Sequence, residues 1–266
     1  MLRFSPYKCC ISLTMKPSPA LSKMSFSRFA SFLYLLSFVL LLQTVVGVDP
    51  LFHFCSSSEK FIENGPYETN LNKLMGYLYL AAPPTGFGKG SVGQNHDQVN
   101  GLALCRGDVS NTDCKDCITE ASTEIRKLCP DNKAAIVWYD HCLLKYSNMN
   151  FFGQVDYQNR FYMWNLNNVS DPTSFNQKTK ELLSHLAQQA FVNQKMYAVG
   201  ELELEESKNL YGLTQCTRDL SISDCKKCLD DAISELPSCC DGKEGGRVVR
   251  GSCNIRYEIY PFLVNS

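Results

Sequence analysis

The chain has 266 residues, 14 of them Cys, with 26 basic and 27 acidic side chains. So many cysteines in a chain long enough to build an ordinary core point to an oxidising compartment. The charge balance argues against a nucleic-acid partner, because such binding is carried by Lys and Arg neutralising phosphates.

Residues 1–47 contain Arg3, Lys8, Lys16, Lys23 and Arg28 and no acidic residue. An apolar stretch from Phe29 to Val46 follows, and Val45 and Gly47 supply small residues at its exit. This is the pattern of a secretory signal peptide, with Met1, Met15 and Met24 as alternative starts. A transmembrane anchor is the competing reading, since about 18 apolar residues span a bilayer. The Cys-rich chain beginning directly afterwards favours cleavage. Cys9 and Cys10 leave with the signal. The remainder keeps 21 basic and 27 acidic residues, a net charge near −6, and twelve Cys. An even cysteine number outside the cell reads as a disulfide framework. No later hydrophobic span occurs, so no membrane anchor is expected after cleavage.

An internal repeat governs the rest. Cys105, Cys114, Cys117, Cys129 and Cys142 recur 111 residues later as Cys216, Cys225, Cys228, Cys240 and Cys253. Gly101/Gly212, Leu102/Leu213, Asp108/Asp219, Ser110/Ser221, Asp113/Asp224, Lys115/Lys226 and Tyr146/Tyr257 keep the same offset. Two domains are expected, over residues 49–151 and 157–264.

In the first, Leu71, Leu74, Met75 and Leu78 lie at helical spacing and stop at Pro83-Pro84. Gln98–Arg106 and Ala134–Tyr139 read as strands. A helix starts at Ser110, with Asp113 as a variant capping box, and carries Cys114, Cys117, Ile118, Ala121, Ile125 and Leu128 on one face. The segment from about Tyr157 to Ser174, polar and Asn-rich, is expected to include the linker. Glu201–Glu206, interleaved with Leu202 and Leu204, reads as an edge strand with a solvated face. Ser221 and Asp224 restart the capped helix, with Cys225, Cys228, Leu229, Ala232 and Leu236 on its face. Pro237 ends it or distorts its last turn. The separate helices and antiparallel strands imply an α+β class.

Each repeat holds one Cys-x8-Cys-x2-Cys motif, open to three chemistries: half a zinc site, a redox dithiol, or two structural half-cystines. Zinc would need clustered ligands, yet His53, His96, His141 and His185 do not recur at the repeat offset. A redox site would not need four further Cys at fixed distances. Structural disulfides are therefore the favoured reading, with no metal or cofactor expected. No catalytic constellation stands at a useful spacing, so no enzymatic activity is expected. Asp140-His141-Cys142 is the tempting exception. Asn168-Val-Ser170 is an N-glycosylation sequon. Trp138-Tyr139, Phe151-Phe152 and Phe161-Tyr162-Met163-Trp164 suit either core and interdomain packing or an exposed platform for a sugar or partner.

The stretch Gly101-Leu-Ala-Leu-Cys-Arg-Gly-Asp-Val-Ser110, the paired motifs, and the ending Gly-Gly-Arg247-Val-Val followed by Cys253-Asn-Ile-Arg-Tyr-Glu-Ile-Tyr-Pro-Phe262 resemble plant cysteine-rich repeat secretory proteins. These are tandem ginkbilobin-2-homologous, or stress-antifungal, domains. The resemblance covers roughly residues 49–264. Receptor-like kinases and plasmodesmata-located proteins share the tandem; ending four residues after Phe262, the chain is similar to the soluble members.

The resemblance implies two helices packed on a five-stranded antiparallel sheet in each domain. It also implies the bridges Cys55–Cys129, Cys105–Cys114, Cys117–Cys142, Cys216–Cys225 and Cys228–Cys253. The residue 111 positions after Cys55 is Leu166, which leaves Cys240 without the family's partner. Cys239 stands beside it, so a Cys239–Cys240 bridge is expected; free thiols or an intermolecular bond are the rivals. A mannose-binding relative contacts its sugar through an Asn after the first Cys, an Arg in the strand before the last Cys, and a Glu after it. The first repeat has Ser56, Ile136 and Ser147 there. The second offers Arg247 and Glu258, tentative ligand-binding residues whose bland alternative is a cross-strand ion pair. The implied role is apoplastic stress or defence signalling by contact with a cell-wall or microbial glycan, or with a receptor ectodomain. An antifungal mannose lectin and an extracellular redox sensor are the alternatives.

Overall fold

The computed structural model describes residues 49–55, 59–205 and 208–263. The segment 1–47, expected to be a signal peptide, and Ser56 and Glu206 lie outside the described residues. The first repeat runs β1 (Phe52–Cys55), α1 (Pro66–Ala81), β2 (Phe87–Val92), β3 (Val99–Cys105), α2 (Asn111–Leu128), β4 (Ala134–Trp138) and β5 (Cys142–Ser147). The second runs β6 (Arg160–Trp164), α3 (Pro172–Val192), β7 (Tyr197–Glu205), β8 (Lys208–Cys216), α4 (Ile222–Ser234), α5 (Leu236–Cys239), β9 (Gly245–Arg250) and β10 (Cys253–Glu258). The strands form two antiparallel five-stranded sheets in matching orders, β1-β4-β5-β3-β2 and β6-β9-β10-β8-β7.

Local chemistry sets the helix ends. Helix α1 begins with Pro66, whose missing N–H costs nothing in a first turn, and buries Tyr67, Leu71, Leu74, Met75 and Leu78. Ser110 caps α2 by accepting from the Asp113 N–H at 3.1 Å, while its hydroxyl donates to the Asp113 carboxylate at 2.8 Å. Ser221 and Asp224 repeat this arrangement in α4. Helix α2 is unbroken over 18 residues, but its counterpart stops at Ser234 and a single turn carrying Pro237 follows. Proline cannot donate the helical bond at that position.

The Asn-rich segment holds only the end of the linker, residues 157–159. Its residues Arg160–Trp164 form β6, which pairs with β9, and the connection between the repeats runs over 148–159. Glu201 and Glu203 point to solvent from β7, an edge strand, while Leu202 and Leu204 pack on the core.

Strand alternation gives the first sheet two largely apolar faces. Ala135 and Val137 of β4 join a core with α1 and α2, whereas Ile136 and Trp138 join a cluster with Leu102, Leu104, Leu143, Phe161 and Val249. That cluster is built from both repeats. Across it Trp138 Nε1 donates to the Arg250 carbonyl (3.3 Å) and Gln215 Nε2 to the Cys105 carbonyl (2.9 Å). The described residues therefore form one compact unit with three cores. Most of the aromatic runs are spent here: Trp138, Phe151, Phe152, Phe161 and Met163 pack at the junction, and Tyr139 enters the first core. Trp164 stays 49% exposed.

Candidate ligand-binding sites

Six disulfides hold the described chain. Cys55–Cys129, Cys105–Cys114 and Cys117–Cys142 bridge the first repeat. Cys216–Cys225, Cys228–Cys253 and the adjacent pair Cys239–Cys240 bridge the second. His53, Cys55 and Cys129 bring three potential metal ligands within 4.8 Å, but two of them are bonded to each other. That leaves this cluster a single imidazole, too few ligands to hold a metal.

Arg247 and Glu258 share one face of the second sheet but do not pair. Arg247 lies opposite Arg256, and Glu258 lies opposite Gly245. Arg256 stands between them, donating from Nε to Glu258 Oε1 (3.1 Å) and from Nη1 to Asp140 Oδ1 (3.2 Å). Arg247 donates from Nη1 to the same Asp140 oxygen (2.7 Å) and from Nε to Asn254 Oδ1 (3.0 Å). From the first repeat, Arg106 donates to Asp140 Oδ2 (3.0 Å) while gripping Asp108 with Nε and Nη2. The expected cross-strand ion pair is thus replaced by a junction in which Asp140 binds three arginines from two repeats.

The electrostatics follow. Burial alone would raise the Asp140 carboxyl, but Arg247, Arg256 and Arg106 outweigh it and hold it below the usual aspartate value. Burial lowers Arg247 to about 10 despite Asp140. Burial raises Glu258, with Arg256 opposing. Arg247 is 7% exposed and Glu258 9%. Both are buried and hydrogen-bonded, Arg247 to Asp140 of the first repeat and Glu258 to Arg256 of its own sheet, so neither stands free for a ligand.

On the equivalent face of the first sheet Ile136 and Lys145 are just as buried, 2% and 9% exposed, but open space remains beside them. A groove of about 660 Å³ runs between Phe54, Ala134, Ile136, Lys145 and Ser147 on the sheet and Phe151, Gln154, Asp156, Tyr157, Gln158 and Asn159 on the connecting segment. Lys145 donates to Asp156 Oδ2 at 2.7 Å and lies 4.4 Å from the centre of the Phe151 ring. Burial would raise Asp156, yet Lys145 and Asn159 hold it low. The Asp156 backbone N–H is fixed to Ser252 Oγ at 2.9 Å, anchoring this wall to the second repeat. The two charges cancel, so the groove offers a neutral lining of rings, amides and a hydroxyl. Sequence reasoning missed it, because its walls come from Phe54, from two strands and from the connection, and nothing in a single sequence says that they meet.

Comparison with known proteins now decides the family. The family described as salt stress response/antifungal matches residues 54–149 and again 163–260. The chain belongs to this stress-antifungal family. It is 59% identical over 230 residues, 85% of this chain and 95% of the other, to an antimicrobial ginkbilobin-2-like protein of Castanea crenata. It is 56% identical to cysteine-rich repeat secretory protein 38 of Arabidopsis thaliana, covering 80% of this chain and 85% of that protein. The tandem DUF26 ectodomain of the Arabidopsis cysteine-rich receptor-like protein PDLP8 superposes with a TM-score of 0.70 at 25% identity, covering 81% of this chain and all of that one. As a stress-antifungal protein the chain is secreted and extracellular, where its six bridges are stable. Among the described residues no helix is long and apolar enough to cross a membrane.

Within the stress-antifungal framework, strand register revises one equivalence. Cys55 pairs with Ala135, and the residue pairing with Gly246, 111 positions later, is Trp164 rather than Leu166. Trp164 therefore occupies the place of Cys55, and Asn165 the place of Ser56. Asn165 donates its backbone N–H to the Gly245 carbonyl (2.8 Å), beside Glu258. The second repeat thus aligns Asn165, Arg247 and Glu258 on one face; a two-residue shift in offset hid the first of these. Asn168 is exposed, with its side-chain oxygen accepting from Lys243 Nζ at 2.7 Å.

Proposed function

We propose that this chain is a non-enzymatic recognition protein of the apoplast, acting in stress or defence by holding a neutral glycan in the groove of its first repeat. The observation that carries this reading is the groove itself, of a size that suits a small oligosaccharide. Exposed Gln154 and Gln158 offer amide donors and acceptors to hydroxyl groups, and Tyr157, 43% exposed with Lys227 and Arg250 each 5.6 Å from its ring centre, offers its remaining ring surface to a sugar. The internal Lys145–Asp156 pair leaves no net charge to attract an ionic ligand. Ile136 and Ser147, at two of the family's sugar-contact positions, line it. A second reading is a mannose-binding antifungal lectin using Asn165, Arg247 and Glu258, favoured by their alignment but opposed by the Asp140 contact on Arg247.

A glycan array separates the two. Wild type should bind a restricted set of cell-wall or microbial oligosaccharides, Tyr157→Ala with Gln158→Ala should lose them, and Asn165→Ala should keep them. Loss in Asn165→Ala alone would move the function to the second sheet. Binding to no glycan would leave a receptor ectodomain as the partner class and sink the glycan reading.

A further inference from the structure

Five of the six bridges join elements 9 to 74 residues apart, and the sixth joins neighbours in sequence. A bridge stabilises mainly by closing a loop in the unfolded chain, and adjacent residues enclose almost none. The Cys239–Cys240 bond is therefore not a staple like the others. Its Cα atoms are 3.8 Å apart, as the peptide link between neighbours requires, short of the usual separation of about 4.4–6.8 Å across a disulfide. Constrained, accessible bridges are the reducible ones. Cys239 is partly exposed at the end of the single-turn α5, flanked by exposed Ser238; Cys55 is exposed and Cys117 partly exposed as well, so it is access combined with the short Cα separation that singles out this pair.

The surroundings accept both redox states. Carbonyl oxygens stand where freed thiols would donate: Leu236 O is 3.8 Å from Cys239 Sγ, and Met163 O on β6 is 3.9 Å from Cys240 Sγ. The backbone of the pair is held independently of the S–S bond. The Cys240 N–H donates to Leu236 O (2.9 Å), and the buried Tyr257 hydroxyl donates to Cys240 O (3.0 Å). In the first repeat a covalent bond fastens Cys129 to the edge strand at Cys55. In the second, reduction would give Cys240 a hydrogen bond to the corresponding strand.

We propose that Cys239–Cys240 is a reversible redox modification site, reduced selectively by extracellular dithiols while the fold persists. A thiolate of the dithiol attacks Cys239 Sγ. The Cys239–Cys240 bond breaks and its electron pair leaves on Cys240 Sγ, which takes a proton. The second thiolate of the reductant then attacks the reductant's own sulfur in the mixed disulfide. Cys239 leaves as a thiolate and is protonated, and the reductant departs as a cyclic disulfide. The chain gains two electrons and two protons, and exchange with a disulfide oxidant reverses the step.

The test is titration of the folded mature chain with dithiothreitol, without denaturant, followed by alkylation and peptide mapping. Two labels should appear on Cys239 and Cys240 at reductant concentrations at least tenfold below those that label any other pair, with unchanged circular dichroism. Reoxidation should remove the reactivity. First labelling at Cys55–Cys129 or any other bridge, labelling of the pair only as the fold is lost, or labelling before reductant is added would each overturn the proposal. The double variant Cys239→Ser, Cys240→Ser should stay folded and lose the low-concentration labelling. Persistence of that labelling would assign it to another bridge and contradict the site.

Discussion

In the first repeat the edge strand β1 is fastened to the end of α2 by Cys55–Cys129, a bridge across 74 residues. In the second, β6 has Trp164 at that place and is held by polar contacts to Glu235, the residue between α4 and α5. Arg160 Nη1 and the Tyr162 hydroxyl both donate to that carboxylate, which Arg250 also binds. The outer faces differ in the same paired manner. Where Ile136, Lys145 and Ser147 of the first sheet line an open groove, the second presents Arg247 and Arg256 to Asp140 of its neighbour, with Glu258 held by Arg256. One topology has thus been given a covalent edge with a groove at its face, and a polar edge with a face engaged by its neighbour. The comparison teaches that a repeated fold need not repeat its site: the cysteine register survives while the residues on the outer face set what each copy does.

The largest break in this comparison comes from the bridges. Cys55→Ser with Cys129→Ser should cost about 4 kcal/mol in urea unfolding, from the loop it no longer closes. Cys239→Ser with Cys240→Ser should cost under about 1 kcal/mol by the same reasoning. Equal losses would contradict the distinction between staple and adjacent pair.

Next is the junction. Asp140→Ala leaves Arg247 and Arg106 without their shared carboxylate, with side chains 8% and 4% exposed. Because Asp140 itself is 39% exposed, the loss is discounted from that of a fully buried pair to about 2–3 kcal/mol. A loss within about 0.5 kcal/mol would show that the junction contributes nothing to stability.

A pH series sharpens the same point. Asp140 and Asp156 are held below their ordinary values, so their contribution is present above the unfolded carboxylate pKa of about 4 and is lost as pH falls through the lowered folded values. Glu258, raised by burial, acts in the opposite sense. The melting temperature should drop between about pH 5 and about pH 2, and less steeply in Asp140→Asn. An identical slope in that variant would remove Asp140 from the account. The smallest stability effect belongs to Gln158→Ala in the open groove, within about 0.5 kcal/mol, because the side chain is exposed.

Much of the fold was legible because it rests on local signals. The capped starts at Ser110 and Ser221, the apolar spacing of Leu71 to Leu78, and the break at Pro237 all act within a few residues. Helix α3 was not read, although the repeat offset maps Leu71 and Met75 onto Leu182 and Leu186, both buried in it. The β6 strand was obscured by its Asn-rich flanks, and with it Asn165. The Asp140 junction was illegible for a different reason. It joins residues more than 100 positions apart, and nothing in a single sequence says which faces of two repeats meet. Asp140-His141-Cys142 drew attention as possible chemistry; its Asp serves the junction and its Cys a bridge to Cys117.

Hydrogen exchange of the mature chain with and without mannan-derived and plant cell-wall oligosaccharides tests the central asymmetry most directly. Protection should appear on 134–136, 145–147 and 151–159, around the open groove, with 163–165, 245–247 and 256–258 unchanged. Protection confined to the second set would contradict the account and place the ligand on the face that Asp140 engages.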